Sequence, residues 1–260
     1  MGQGNQALSV TTRAEKVLPD SLYQEARAIR NMIVEKGLKK ITLAGHSEGG
    51  SKAANLIDIL QKENPDIDIG GLILLDPVGL YEQGKMELAL KFSQDTMINT
   101  PTTLLRNPSL TKKALQASSD IIFNIAREIK STKALGYPKR ISSQIGEMAK
   151  ANTHYQDVKC PVVLIQGAKD PVSSAERVVP SNQIIEPQTK EDESVLSQRR
   201  KILKETFFPN SPRVDMLVPE KIGHHGLPHF RSEQISKVTL GLLERIRRTL
   251  LKTLPGSQTL

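Results

Sequence analysis

Apolar positions along the chain fall into two rhythms. From Leu22 to Lys36 they recur at Leu22, Ala26, Ile29, Ile33 and Val34, the spacing of one face of an α-helix. Asp20 or Ser21 offers a cap for its start, and Gly37 can end it in a left-handed conformation. Ile41-Thr42-Leu43-Ala44 is a short apolar run halted by Gly45, which predicts a strand ending in a turn. A second helix is predicted from Ser51 to about Lys62, with Ala53, Ala54, Ile57 and Leu60 on one face, and Asn64-Pro65 breaks it. Three further runs read as strands: Gly71 to Leu75 before Asp76-Pro77, Pro161 to Ile165 before Gly167, and Arg213 to Val218. These runs are apolar throughout rather than alternating, the pattern of strands buried on both faces in a parallel sheet covered by helices. A last helix is predicted from Ser232 to Leu251 on the stripe Ile235, Val238, Leu242, Leu243, Ile246 and Leu250.

Two long segments interrupt this rhythm. Residues 82–155 carry helical patterns at Met86 to Phe92, Thr111 to Lys130 and Ile141 to Ala151, separated by Pro101, Pro108, Gly136 and Pro138, with no strand signal. The fold class expected is therefore α/β, a mostly parallel sheet flanked by helices. Residues 1–81 and 156–260 form its core, and 82–155 form a helical cap or lid inserted between two strands. The second segment, 174–212, holds a charged helical stretch near Glu193 to Glu205 and reads as surface structure.

The chemistry concentrates at Gly45-His46-Ser47-Glu48-Gly49. Strand, then Gly-x-Ser-x-Gly, then helix is the arrangement of a nucleophile elbow, which holds a serine on a tight, strained turn above the sheet edge. Flanking glycines let helix and strand approach closely. The backbone N–H of the next residue, Glu48, lies near a helix N-terminus, where it can face a developing oxyanion. On these residues the chain resembles the α/β-hydrolase superfamily, in its serine esterase and lipase-like branch with a helical cap.

That resemblance implies a catalytic triad in the order Ser, acid, His. Ser47 is the nucleophile. Asp170, in Gly167-Ala168-Lys169-Asp170-Pro171 just past a strand end, is the implied acid, with Asp76 the alternative after the preceding strand. An Asp before Pro is also an ordinary turn residue. Gly223-His224-His225-Gly226-Leu227-Pro228-His229 supplies the base, with His224 preferred and His225 the alternative. A zinc site in this cluster is disfavoured, because adjacent His side chains point apart and no Cys or carboxylate set completes it. His46 is expected to line the pocket, and His154 to be structural or exposed. The implied activity is hydrolysis of an ester or related acyl bond in a small-molecule substrate, with no cofactor or metal in the reaction. The same fold also serves other chemistries and does not choose among them.

The pattern departs from the superfamily at the start. Relatives carry four strands before the elbow strand, whereas about forty residues holding one helix precede it here. The expectation is an N-terminally truncated fold, with Gly2-Gln3-Gly4-Asn5 as the loop after the fourth strand and the second oxyanion donor missing. The elbow strand would then be an edge, open to self-association through unpaired backbone groups. The rival reading is a catalytically impaired remnant that acts as a binding or interaction protein.

Composition adds little to this. The 260 residues carry a net charge of +8 and a pI near 9.5. The basic residues are scattered, aromatics are 3% and Trp is absent, so a nucleic-acid platform is not expected. The single cysteine, Cys160, fits a reducing compartment and reads as a small buried residue. No apolar stretch approaches the roughly 20 residues of a membrane span. The opening residues lack a basic start followed by an apolar run, so a cytoplasmic location is expected. Gln6 stands where a myristoylation signal wants Ser or Thr.

Overall fold

The computed structural model describes residues 22–95, 136–168, 170–179 and 192–218, with 237, 240, 241 and 244. Its described elements are α1 (Leu22–Glu35), β1 (Lys40–His46), α2 (Glu48–Glu63), β2 (Asp68–Leu75), α3 (Lys85–Gln94), α4 (Gly136–Met148), a 3₁₀ turn (Thr153–Asp157), β3 (Val162–Ile165), α5 (Ala175–Val178), α6 (Asp192–Thr206) and β4 (Val214–Leu217). The strands form one sheet in the order β1-β2-β3-β4, each pair parallel. A parallel sheet needs crossover helices. Here α2 supplies the first, the segment 76–161 the second and the segment 166–213 the third.

Local sequence explains the helix ends. Gly37 adopts φ 63°. Its N–H donates to Val34 O at 2.9 Å and the Leu38 N–H to Ile33 O at 3.1 Å, a Schellman closure that Gly permits. Leu38 packs beside Ile33 in the same apolar cluster. The expected caps Asp20 and Ser21 lie outside the described residues. At that end the Leu22 N–H donates to Glu147 Oε2 at 2.9 Å, so a carboxylate from α4 meets the positive end of α1.

Helix α2 is apolar on two sides, and that is why it is central. Ala53, Ala54 and Ile57 pack with Leu72, Leu74, Val162, Leu164, Val214 and Met216 of the sheet. Leu56, Ile59 and Leu60 pack with Ala26 and Ile33 of α1. Each large side chain so buried contributes about 1.5–3 kcal/mol. Lys52 ties the two helices further, through Glu25 at 2.5 Å and Glu48 at 2.7 Å.

Two expectations are corrected. Strands β2, β3 and most of β4 are buried on both faces, but β1 alternates, with Lys40, Thr42 and Ala44 exposed. Among the described residues β1 pairs with β2 alone and ends the sheet. The charged helix α6 is not surface structure only. Leu203, Phe207 and Phe208 at its C-terminal end are core residues. Arg200 pairs with the buried Asp215 of β4 at 2.5 Å, and Arg213 adds a second contact at 2.8 Å.

Between β2 and β3 the described residues contain helices and no strand, as the sequence predicts for this stretch. Leu88 of α3 and Met148 and Ala149 at the end of α4 cluster with Val78 and Val172. Both valines stand in loops at the C-terminal ends of strands, so these helices pack onto that edge. The predicted helix at Thr111 to Lys130 lies outside the described residues. Lys237, Leu240, Gly241 and Glu244 are helical, within the predicted last helix.

Candidate active site

Sheet register builds one row of chemistry. His46 pairs with Leu75, Leu75 with Ile165, and Ile165 with Leu217. The residues that follow, Ser47, Asp76, Gln166 and Val218, therefore stand side by side at the C-terminal edge, about 4.8 Å apart per strand. Backbone bonds continue past the strands: Ser47 N–H to Leu75 O at 2.9 Å, Asp76 N–H to Ile165 O at 2.8 Å, and Gln166 N–H to Leu217 O at 2.9 Å.

Ser47 sits on the turn between β1 and α2 with φ 54° and ψ −121°. This lies outside the regions open to ordinary L-residues, and holding a non-glycine there costs about 1–3 kcal/mol. The surroundings enforce it. The Ser47 carbonyl accepts from Gly50 N–H at 3.0 Å and from Val78 N–H at 3.2 Å. α2 starts at Glu48, earlier than its apolar stripe suggests. Glu48 and Gly49 are its first residues, and the N–H groups at any helix start lack an intrahelical acceptor. The Glu48 carboxylate is turned to Lys52, at 2.7 Å.

The glycines divide their work differently from the expectation. A Cβ on Gly45 would stand 2.2 Å from Gly49 O and 2.6 Å from Gly50 N, so β1 and the first turn of α2 touch at this residue. Gly49 itself meets nothing within 4 Å. The second close approach is at Gly50, 2.8 Å from the Pro77 Cβ and 3.0 Å from the Tyr155 hydroxyl. Glycine at 45 and 50, not 49, is what the packing requires.

Asp76 is the more unusual carboxyl. It is fully buried and adopts φ 43°. Its Oδ1 accepts from Gly167 N–H at 2.7 Å, while Oδ2 is buried with no hydrogen-bond donor among the described residues. Burial, and then the adjacent Asp170 carboxyl, raises its pKa well above the ordinary range. Asp170 is buried too, and its Oδ1 accepts from Val172 N–H at 2.7 Å and Ser173 N–H at 3.1 Å. The two acids preferred from sequence are thus neighbours within hydrogen-bonding reach of each other.

Sequence reasoning missed the residues that hold this pair. Gln166 donates through Nε2 to Ser173 O and to Ser173 Oγ, the latter at 2.6 Å. Ser173 Oγ donates to Pro77 O at 2.5 Å, the Tyr81 hydroxyl accepts from Ser174 N–H at 3.0 Å, and Gln83 donates to Val172 O at 3.2 Å. These bonds stitch the loop after β3 to the loop after β2. No local signal marks them, since each joins residues distant in sequence or looks like common loop polarity.

His224 and His225 lie outside the described residues, as does His229. His46 is half-buried at the end of β1. Cys160 is buried at the far end of β3, and burial pushes its thiol up to about 12, which suits packing and not nucleophilic chemistry. Among the described residues no helix is long and apolar enough to cross a membrane.

No family model matches the sequence, and no curated protein matches it. Solved structures do. MGS-M2, an α/β hydrolase enzyme from a Medee basin deep-sea metagenome library, is 12% identical with a TM-score of 0.51, over 89% of this chain and 74% of that one. BpoC from Mycobacterium tuberculosis H37Rv is 14% identical with a TM-score of 0.51, over 90% of this chain and 78% of that one. A thermophilic esterase from Thermogutta terrifontis is 20% identical with a TM-score of 0.45, over 90% of this chain and 75% of that one. The parallel sheet, the strand-turn-helix at Ser47 and the likenesses to MGS-M2 and BpoC define the fold: the chain has the α/β-hydrolase fold.

Proposed function

We propose that the protein is a serine hydrolase that cleaves a carboxylic ester or related acyl bond. The observation that carries this reading is Ser47, held at φ 54° and ψ −121° on the strand-to-helix turn. A strained, side-chain-bearing residue at the mouth of a sheet is costly to keep, and exposing a nucleophile is the use that justifies it.

In this reading Ser47 Oγ attacks the acyl carbon. His224 removes its proton as the C–O bond forms and returns that proton to the leaving alcohol when the tetrahedral adduct collapses. Water then attacks the acyl-enzyme by the same route and releases the acid. Asp170 is the orienting carboxylate, because two backbone N–H donors fix its side chain in place. Asp76, fully buried beside it with its pKa raised by burial, steadies Asp170 instead of replacing it. The Glu48 N–H is the oxyanion donor. The chain leaves β4 at Leu217 on the same edge as Ser47. His224 is six residues beyond Val218, a reach of up to about 20 Å, against about 14 Å across three strand spacings. Nothing in this scheme requires a metal or cofactor. The helices packed on the edge, within 82–155, serve as the cap that shapes the acyl pocket, and the substrate is a small molecule.

Hydrolysis of a p-nitrophenyl ester series by the full chain, beside Ser47→Ala, His224→Ala and His225→Ala, tests the proposal. Loss of turnover in the first two with retention in the third is expected. Turnover that survives Ser47→Ala rejects the mechanism.

A further inference from the structure

A second cluster of titratable groups lies away from the row at the sheet edge. Asp58 on α2 and His154 and Asp157 on the 3₁₀ turn each offer a ligand atom, and these atoms all lie within 4.8 Å of one another. Asp58 is 2% exposed, yet its Oδ2 has no hydrogen-bond partner among the described residues, and neither has the buried His154 Nδ1. Two neighbouring buried atoms capable of bonding, each without a hydrogen bond, call for an occupant.

The spacing says which kind. His154 Nδ1 stands 3.6 Å from Asp58 Oδ2 and 3.4 Å from Asp157 Oδ2. Both separations exceed an N–H···O hydrogen bond of about 2.7–3.2 Å. Two ligand atoms each about 2.1 Å from a common tetrahedral metal stand about 3.4 Å apart. From this geometry we propose that Asp58, His154 and Asp157 bind a divalent transition-metal ion of the zinc type.

Several features fit the assignment. One imidazole with two carboxylates is a nitrogen–oxygen set suited to zinc, whereas calcium and magnesium favour six or more oxygens. His154 and Asp157 are three apart in a 3₁₀ turn, where such side chains eclipse. The turn that carries the imidazole is anchored: the backbone N–H of His154 donates to Asn152 Oδ1 at 3.0 Å, and Asn152 Nδ2 donates to Asn55 Oδ1 on α2 at 2.9 Å. The Tyr23 ring lies 5.8 Å from the imidazole, centroid to centroid. Lys62 occupies the other oxygen of Asp58, Oδ1, at 2.7 Å, and leaves Oδ2 to the ion. Asp157, half-exposed, is the ligand with freedom to close the site.

The ion would clamp the turn that returns from the helical segment 82–155 onto the elbow helix. Asp58 is eleven residues past Ser47, about 16 Å along α2, so the clamp is structural and independent of the serine chemistry. The sequence hides the site, because the ligands are 96 positions apart and His-x-x-Asp alone signals little.

Cobalt is the probe, since tetrahedral Co²⁺ reports its ligands in the visible spectrum, with Zn²⁺ as competitor. The metal-free full chain should bind one equivalent. Asp58→Asn and His154→Gln should each weaken binding by more than the roughly 10–100-fold that an outer-shell partner costs. Replacing His224 and His225 together by Ala should leave it unchanged. Should Asp58→Asn fail to fold, Asp157→Asn gives the same readout at an exposed position. No binding, binding indifferent to Asp58, His154 and Asp157, or binding lost with His224 and His225 overturns the assignment.

Discussion

Adding one methyl group at Gly45 tests the elbow's geometry apart from its chemistry. The Cβ of Gly45→Ala would stand 2.2 Å from Gly49 O, 2.4 Å from Gly49 C and 2.6 Å from Gly50 N. All three are backbone atoms in the first turn of α2, so no side-chain rotation relieves the clash. Carbon approaches a carbonyl oxygen no closer than about 3.3 Å, so the elbow must open by about 1 Å. Overpacking of this kind costs about 1–3 kcal/mol, and the upper end is expected where only backbone can yield. A displacement of that size at a reacting atom costs on the order of 10²-fold in rate. Gly49→Ala is the matched control. Its Cβ meets nothing within 4 Å, and its φ is not positive. It should leave stability unchanged or raise it by up to about 1 kcal/mol, the helix preference for Ala over Gly. Urea unfolding followed by far-UV circular dichroism measures both, as the chain has no Trp. Equal stability of the two variants, or Gly49→Ala as the weaker one, would refute the packing argument.

Ser47→Gly should raise stability by about 1 kcal/mol, since relief of roughly 1–3 kcal/mol of backbone strain outweighs glycine's added entropy, while it removes esterase activity; thermal unfolding beside the ester assay checks both. The raised pKa of Asp76 means the folded state holds a proton that the unfolded chain releases at lower pH. Stability should therefore fall as pH rises from about 4 toward the folded-state pKa, and Asp76→Asn should flatten that slope in urea titrations at several pH values. Arg200→Ala and Arg213→Ala should each cost about 1 kcal/mol, because the other arginine still pairs with Asp215. The double variant should exceed the sum, as loss of all partners of a buried charge costs about 3–5 kcal/mol.

The apolar runs made β2 and β3 legible, because strands buried on both faces need continuous hydrophobic sequence. Gly37 announced the end of α1 and adopts the left-handed turn. The elbow was legible from its spacing together with the strand before it and the helix after it, but the division between Gly45, Gly49 and Gly50 was not. Which glycine is crowded depends on Pro77 and Tyr155 arriving from elsewhere in the chain. α6 looked like surface because its charged positions outnumber its apolar ones. Its burial comes from Leu203 and the Phe207-Phe208 pair just beyond it, with Arg200 reaching Asp215. The two acids could be named from strand ends, Asp170 ahead of Asp76, but not the bonds around them. Both are buried, and two backbone N–H groups donate to Asp170 against one to Asp76. Glu147 at the start of α1 is a partner 125 positions away, which no local pattern encodes.

The central claim is that Ser47 is an activated nucleophile. Intact mass after reaction of the purified chain with a fluorophosphonate, followed by peptide mapping, tests it most directly. One adduct per chain, on the peptide containing Ser47 and absent in Ser47→Ala, is the predicted result. A folded chain that takes up no adduct, or one that carries it on another residue, would contradict the account.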